Sequence, residues 1–284
     1  MKPAPFSYQR ATDVAEVLEV LHQGGGEARV LAGGQSLVPM LNMRLARPAL
    51  LVDIMHIAAL RRVDDNGKRL LIGAGVRQIE LERRPDLAQQ QPLLAAMLPW
   101  LGHLQTRSRG TVCGTVAHAD PSAEVPLALV ALGGMVHLRT RRRARQVAAE
   151  AFFTGMMATA RADDELLEAI QVPALRPGAG YAFREVSRRH GDYAITACAA
   201  VADGQGVRLA VGGVAAYPMA RSLPLPGNSA LDDALDAFAW ELEARDDLHA
   251  TARYRRELVR RIGREVALRA VQDRDARNQM KEAA

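Results

Sequence analysis

Cysteine is nearly missing from this chain: Cys113 and Cys198 are the only two in 284 residues. Two thiols make no disulfide framework, and they fall short of the four that a structural zinc or an iron–sulfur cluster draws from cysteine. The chain is therefore expected to carry no such centre itself. Aromatic residues are scarce too, at 4%. Arginine is plentiful, in "RTRRRAR" at 139–145 and again between Arg253 and Arg277, yet no stacking residues interleave with those charges. Nucleic-acid binding is not expected from such a pattern, and a solvated hairpin tip accounts for the first cluster. The surplus is small in any case, 37 Lys+Arg against 32 Asp+Glu.

Long apolar runs are absent as well. None reaches the ~18 residues of a membrane-spanning helix. The opening "MKPAPFSYQRATD" lacks the apolar stretch of a signal peptide, and the expectation is a soluble, cytoplasmic protein. Several catalytic signatures are missing. There is no G-x-x-x-x-G-K-[ST] and no G-x-G-x-x-G opening a helix, which removes the P-loop and Rossmann readings. Without a G-x-S-x-G elbow or an H-x-x-x-H pair, hydrolase and zinc sites find no support either.

What is present is an alternating texture. About half the residues are apolar, enough for real cores, and the length exceeds that of a usual single domain. After "FSYQRA", Val14, Val17, Leu18 and Leu21 recur at helical spacing behind Thr12 as N-cap, and "GGG" at 24–26 stops the helix. Then "ARVLAGG" reads as a strand, "SLVPMLNMRLA" as a helix-like segment and "ALLVDIMHI" as a second strand. This predicts a small parallel α/β unit over residues 1–60 with a glycine loop at a strand's carboxyl end. A second unit over 61–176 follows, with "LLIGAGV" as a strand, helices broken at Pro85 and Pro92, and a hairpin at "MVHLRTRRRARQVAAEAFF". The Pro/Gly-rich link at 173–180 opens a third, 177–284, read as an antiparallel sheet followed by amphipathic helix. The overall class is α+β.

Two bare loops stand out. "VLAGGQSLVP" at 30–39 sets Gly33 and Gly34 directly after a buried run. Glycines offer only conformation, either a tight turn or a cradle of backbone N–H groups for an anion. The second loop, "RSRGTVCGTVAHADPSAEVP" at 107–126, has Gly110 and Gly114 among hydroxyl residues, then His118, Asp120 and Glu124. Taken together they suit a diphosphate held mainly by oriented N–H groups, for which close backbone approach matters more than lysine.

"AGGQSLVPML", "RGTVCGTVAHADPSAEVP" and "REVSRRHGDYA", in this order, resemble the FAD-binding medium subunit of the molybdenum hydroxylases, the xanthine dehydrogenase and carbon monoxide dehydrogenase flavoprotein family. The likeness runs from "FSY" to "VGGVAAYPMAR" at 211–221. It implies an FAD-binding fold of the p-cresol methylhydroxylase and vanillyl-alcohol oxidase type, in two α+β subdomains, with a C-terminal flavoprotein domain. By motif, Ala32, Gly33, Gly34, Gln35, Ser36 and Leu37 would form the first diphosphate loop, and Thr111, Val112, Cys113, Gly114 and Thr115 the second. His118 and Asp120 continue that loop, and Glu124 takes the acidic position used on the flavin nucleotide. Leu101 and Leu167 match apolar positions lining the cofactor, Arg184 a basic residue near the flavin, and Tyr193 a residue close to the isoalloxazine ring. Cys113 stands where many relatives carry glycine, which leaves open a thiol close to the flavin and its redox sensitivity.

The resemblance also implies a division of labour. FAD would be bound non-covalently here, while a large partner holds the molybdenum–pterin cofactor and a small one carries two [2Fe–2S] clusters, in a heterotrimer or a dimer of heterotrimers. This chain would pass electrons from the clusters to a terminal acceptor, with no catalytic acid or base and no metal of its own. The alternative is a stand-alone flavin oxidase of the vanillyl-alcohol type, which would need a long substrate domain of its own.

Overall fold

The computed structural model describes residues 2–227 and 229–282. Its first strands are β1 (Ser7–Arg10), β2 (Ala28–Leu31) and β3 (Leu50–Asp53), ordered β1-β3-β2 and all parallel. Parallel strands need crossover connections, and α1 (Val14–Gly24) provides the one from β1 to β2, the two strands that flank β3. Val17, Leu18, Val20 and Leu21 form its buried face. Its N-cap is Asp13 rather than Thr12: the Asp13 carboxylate accepts from the Glu16 N–H at 2.9 Å, and Thr12 donates its N–H and hydroxyl to the Glu16 carboxylate. A carboxylate at the helix start gains from the exposed N–H groups and their partial positive charge, which a threonine hydroxyl does less well. Between β2 and β3 runs the short α2 (Leu37–Asn42).

The second sheet is antiparallel. Strands β4 (Val63–Asp65), β5 (Arg69–Gly73), β6 (Met135–Arg139), β7 (Ala144–Ala148) and β10 (Leu166–Pro173) are ordered β4-β5-β10-β6-β7. Between β7 and β10 lie the turn of helix α9 (Ala149–Phe152) and a small ribbon of β8 (Phe153–Gly155) and β9 (Ala158–Thr159). Three arginines of the β6–β7 hairpin are held by carboxylates: Arg139 by Glu168, Arg141 by Glu19 and Arg145 by Glu165. Helices α3 (Gln78–Glu82), α4 (Leu87–Gln90), α5 (Pro92–Met97), α6 (Leu104–Arg107), α7 (Val112–His118) and α8 (Glu124–Ala131) fill the long stretch between β5 and β6. Pro92 opens α5 at the position where its missing N–H costs nothing.

The third sheet runs β11 (Gly180–Val186), β12 (Thr196–Ala202), β13 (Val207–Gly212) and β14 (Met219–Leu223), antiparallel throughout. All of β12, "TACAAVA", is buried, as a central strand covered on both faces must be. One cover is α11 (Ala252–Glu282), seated beside α10 (Ala230–Glu241), with Leu258, Val259, Ile262, Val266, Ala267 and Ala270 turned inward. The other cover is α8. Its sequence "EVPLALVA" is apolar on every side beyond Glu124, and all eight residues are buried. That helix joins the third sheet to the rest of the core and carries Glu124 into the interior with it.

Candidate functional site

The chain leaves β2 at Leu31 and turns through Ala32 to Ser36 before α2 begins. The two glycines of this turn serve different ends. A Cβ on Gly33 would stand 2.2 Å from the carbonyl oxygen of Arg109 and 2.7 Å from Gly110 Cα, so backbone meets backbone with no room for a side chain. Gly34 has φ +72°, in the left-handed region that favours glycine. Among the described residues, the N–H groups of Gly34, Gln35 and Ser36 donate to no backbone carbonyl. The Gln35 amide folds back and donates to Gly33 O at 3.2 Å.

Thr111 caps α7, its hydroxyl accepting from the Gly114 N–H at 3.1 Å, while the Val112 N–H reaches Val76 O at 3.0 Å. The Cys113 N–H is left without a backbone acceptor among the described residues. The loop is braced from below by Gln78, which is buried: its N–H donates to Gly110 O at 2.9 Å and its side-chain amide to Thr115 Oγ1 at 2.7 Å. Ala119, at φ +55°, ends α7, and Pro121 O accepts from the Gly213 N–H at 2.7 Å, which ties the loop to the third sheet.

Both loops line a cavity of about 1010 Å³. Ordinary ligand pockets span ~300–1,000 Å³, so this one suits a large, extended ligand. Ala32, Gly33, Gly34, Gln35, Ser36 and Leu37 line it from the first loop, and Thr111, Cys113, Gly114, Thr115, His118, Asp120 and Glu124 from the second, with Leu101, Leu167 and Tyr193 completing the wall. Val112 is fully buried and turns its side chain into the core. Arg184 lies elsewhere. It sits on β11 and pairs with Glu265 of α11, on the far face of the sheet.

Sequence reasoning missed several lining residues. Arg188, in the same motif as Arg184 but beyond the end of β11, lines the cavity together with Gly191 and Asp192. Strand alternation was the available signal, since it sends residue 184 and its neighbours to opposite faces. Gln78 carried no signal, being one polar residue in a short helix. Arg29 and Arg161 also line the cavity. Arg29 pairs with Asp163 at 3.0 Å, and Arg161 donates to the carbonyls of Ala162 and Glu165. They lie far apart in the chain, and only the fold brings them together.

The site's acids are set by burial. Glu124, 6% exposed, is pushed up to about 7 by desolvation, with Asp120 adding to the rise and Arg107 opposing it. His118 is held below the ordinary imidazole value by desolvation, against the pull of Asp120, so the ring is neutral at pH 7. Tyr193 stands in the mouth, and although 71% of it is open to solvent its phenol is raised by partial desolvation and then by the charges of Asp120 and Glu124. The sequence leaves the redox sensitivity of Cys113 open. Its sulfur donates to Ile72 O at 3.2 Å in the core, and burial pushes the thiol up to about 12. A thiol held protonated and out of solvent is no redox sensor.

The arrangement fits FAD on its own terms: two glycine loops in backbone contact, free N–H groups on both, and a cavity of ample volume for a dinucleotide. Residues 4–175 match the family model described as the FAD binding domain in molybdopterin dehydrogenase, and residues 181–270 that of the CO dehydrogenase flavoprotein C-terminal domain. The chain is 36% identical over 273 residues to the 6-hydroxypseudooxynicotine dehydrogenase complex subunit alpha of Paenarthrobacter nicotinovorans, covering 92% of each. It is 33% identical to the carbon monoxide dehydrogenase medium chain of Hydrogenophaga pseudoflava, over 90% of this chain and 93% of that one. Among solved structures, reconstituted CO dehydrogenase from Oligotropha carboxidovorans aligns with a TM-score of 0.91 at 31% identity, over 96% of this chain and 100% of its counterpart.

Proposed function

Because the chain belongs to the family of FAD-binding medium subunits of the molybdenum hydroxylases, we propose that it is the electron-transfer subunit of such an enzyme. It takes electrons from [2Fe–2S] clusters on a small partner and delivers them to a terminal acceptor, while a large partner holds the molybdenum–pterin cofactor. When bound in the cavity, FAD supplies the exchange between incoming single electrons and the acceptor's needs. The chain's own residues bind, orient and shield. The observation that carries this reading is the contact of Gly33 with the Arg109–Gly110 backbone, which sets two loops with free N–H groups on one wall.

In this reading the N–H groups of Gly34, Gln35, Ser36 and Cys113 hold the diphosphate, and Leu101 and Leu167 give apolar walls. Val112 contributes through its backbone position only. Tyr193 covers the ring at the mouth, with Arg188 as the nearby cation in place of Arg184. The division of the chain at 1–60, 61–176 and 177–284 belongs to the same proposal, supported by one principal sheet lying inside each span. So do assembly as a dimer of heterotrimers and a cytoplasmic setting; two free, buried thiols suit a reducing compartment.

The test is direct. The purified chain, alone or with its partners, is expected to show flavin absorbance and to release FAD on denaturation. A colourless chain that takes up no FAD from solution would sink the reading. Mass spectrometry of co-purifying subunits, and the mass of the intact complex, check the partners and the assembly.

A further inference from the structure

Resting on the reading that the cavity holds FAD, we propose that Glu185, a carboxyl group buried behind the cavity wall, is coupled through charge to Glu124, so that the pair takes up one proton from solvent when the anionic cofactor binds. Glu185 is 5% exposed, and neither of its carboxylate oxygens has a hydrogen-bond partner among the described residues. An ionised carboxylate in that position has nothing to offset its lost hydration, so the neutral acid is the stable form.

Sheet register fixes where this group faces. Glu185 on β11 lies opposite Ala197 on β12, which lies opposite Gly212 on β13. Paired residues of an antiparallel sheet share a face. On that face a Cβ at Gly212 would stand 3.3 Å from Pro121 O and 3.6 Å from Leu127, so the row Glu185, Ala197, Gly212 is turned toward the second loop and α8. Glu124 opens α8 and lines the cavity. Its charge acts on Glu185, which burial and then this neighbour push up to about 8.

The other charged groups around the pair are engaged elsewhere or add to the same effect. Asp120, on the loop, raises Glu124 further, and Arg107, the cation that opposes it, is held by Glu82 at 2.7 Å. From α11, Arg255 gives its guanidinium to the carbonyls of Ile195 and Gly213 and to Asp247, while Glu265 is taken by Arg184 on the opposite face. Farther along α11, Asp273 accepts from the Tyr181 N–H and Arg274 donates to Asp203 O. Arg208 of β13 is spent on the carbonyls of Val130 and Ala131 and on Glu150. Neither α5 nor β12 carries a charged side chain.

A diphosphate entering this cavity brings negative charge toward Glu124. Like charge disfavours an ionised carboxylate, so the pair answers by taking up a proton. The balance is simple: apo chain, FAD and one solvent proton give the complex with the pair protonated. Compensation by the arginines of the wall would instead need no proton.

The experiment is calorimetric titration of the apo full chain with FAD at pH 6 to 9, in buffers of different ionisation enthalpy, which counts protons exchanged. Net uptake at pH 8 is expected, with affinity falling as pH rises, approaching ~10-fold per unit where a whole proton is taken up. In Glu185→Gln, uptake at pH 8 and the steepness of the affinity curve above pH 8 should fall by at least half. Zero uptake by the wild-type chain at pH 8 overturns the proposal whether or not the variant folds, and so does a folded variant with wild-type uptake. Absence of FAD binding at every pH instead sinks the underlying reading of the cavity.

Discussion

The carbonyl oxygen of Arg109 occupies the space that a Cβ on Gly33 would need, at 2.2 Å. Two loops more than seventy residues apart in the chain thus meet without a side chain between them. Gly33→Ala must drive backbone from backbone, at the upper end of overpacking costs, about 3 kcal/mol. Gly34→Ala meets the strain of a left-handed residue, about 1–2 kcal/mol, and a Val38 methyl group at 3.2 Å, a side chain that can give where backbone cannot. We expect Gly33→Ala to lose flavin retention and Gly34→Ala to keep a reduced share. Thermal melts alongside flavin content of the two purified variants check the order, which a Gly33 serving only as a turn would reverse.

The buried acids predict how stability depends on pH. Glu124 and Glu185 both have folded values raised above the ordinary 4.5, to about 7 and about 8. The folded chain therefore binds more protons than the unfolded one between those limits, and its stability falls as pH rises from about 4.5 to about 8. Glu185→Gln should flatten that slope, because the amide cannot ionise, and its stability relative to the wild-type chain should improve from pH 5 to pH 8. Urea melts of the apo chain at pH 5 and pH 8 would show it; a variant equally sensitive to pH would count against it.

Glu165 gives the opposite sign. It is 1% exposed, and although burial pushes its carboxyl up, the Arg145 guanidinium at 2.6 Å and the Ala162 N–H outweigh this and hold it low. Its contribution is present above the unfolded value and is lost as pH falls through the folded one. Arg145→Ala strands that carboxylate. Since the Arg145 side chain is itself 36% exposed, the expected loss is ~1–3 kcal/mol, short of that for a fully buried pair. Guanidinium melts at pH 7 measure it.

Both cysteines should be silent in the native protein. Cys113 and Cys198 are buried, and burial raises both thiols. A thiol-reactive chromophore is expected to titrate neither in native buffer and both after denaturation. Rapid labelling of Cys113 in the native chain would restore its candidacy as a sensor.

The parts of the site visible in the sequence are those made by backbone. Glycines and small hydroxyl residues crowd into "AGGQS" and "GTVCGT" because main chain must come close there, and composition alone carries that demand. Which glycine does what was hidden, since Gly33 answers to Arg109, a residue in another loop. Arg184 misled because a motif is read along the chain while a strand sends successive residues to opposite faces, and Arg188 past the strand end lines the cavity. Gln78 and Arg161 owe their places to tertiary contacts that leave no local pattern. The sheets were easier, being written in alternation and in the glycine and proline punctuation between strands. Thr12 and Asp13 differ by one position, and only the geometry of the Glu16 N–H decides between them.

Helix α8 has one more consequence. With every residue enclosed and no polar side apart from Glu124, it acts as a keystone shared by the cofactor walls and the third sheet. Such a piece leaves no seam along which the two could part without exposing an apolar helix to water. Exchange of a bound cofactor is then expected to depend on movement of the loops that line the cavity rather than on a hinge through the middle of the chain.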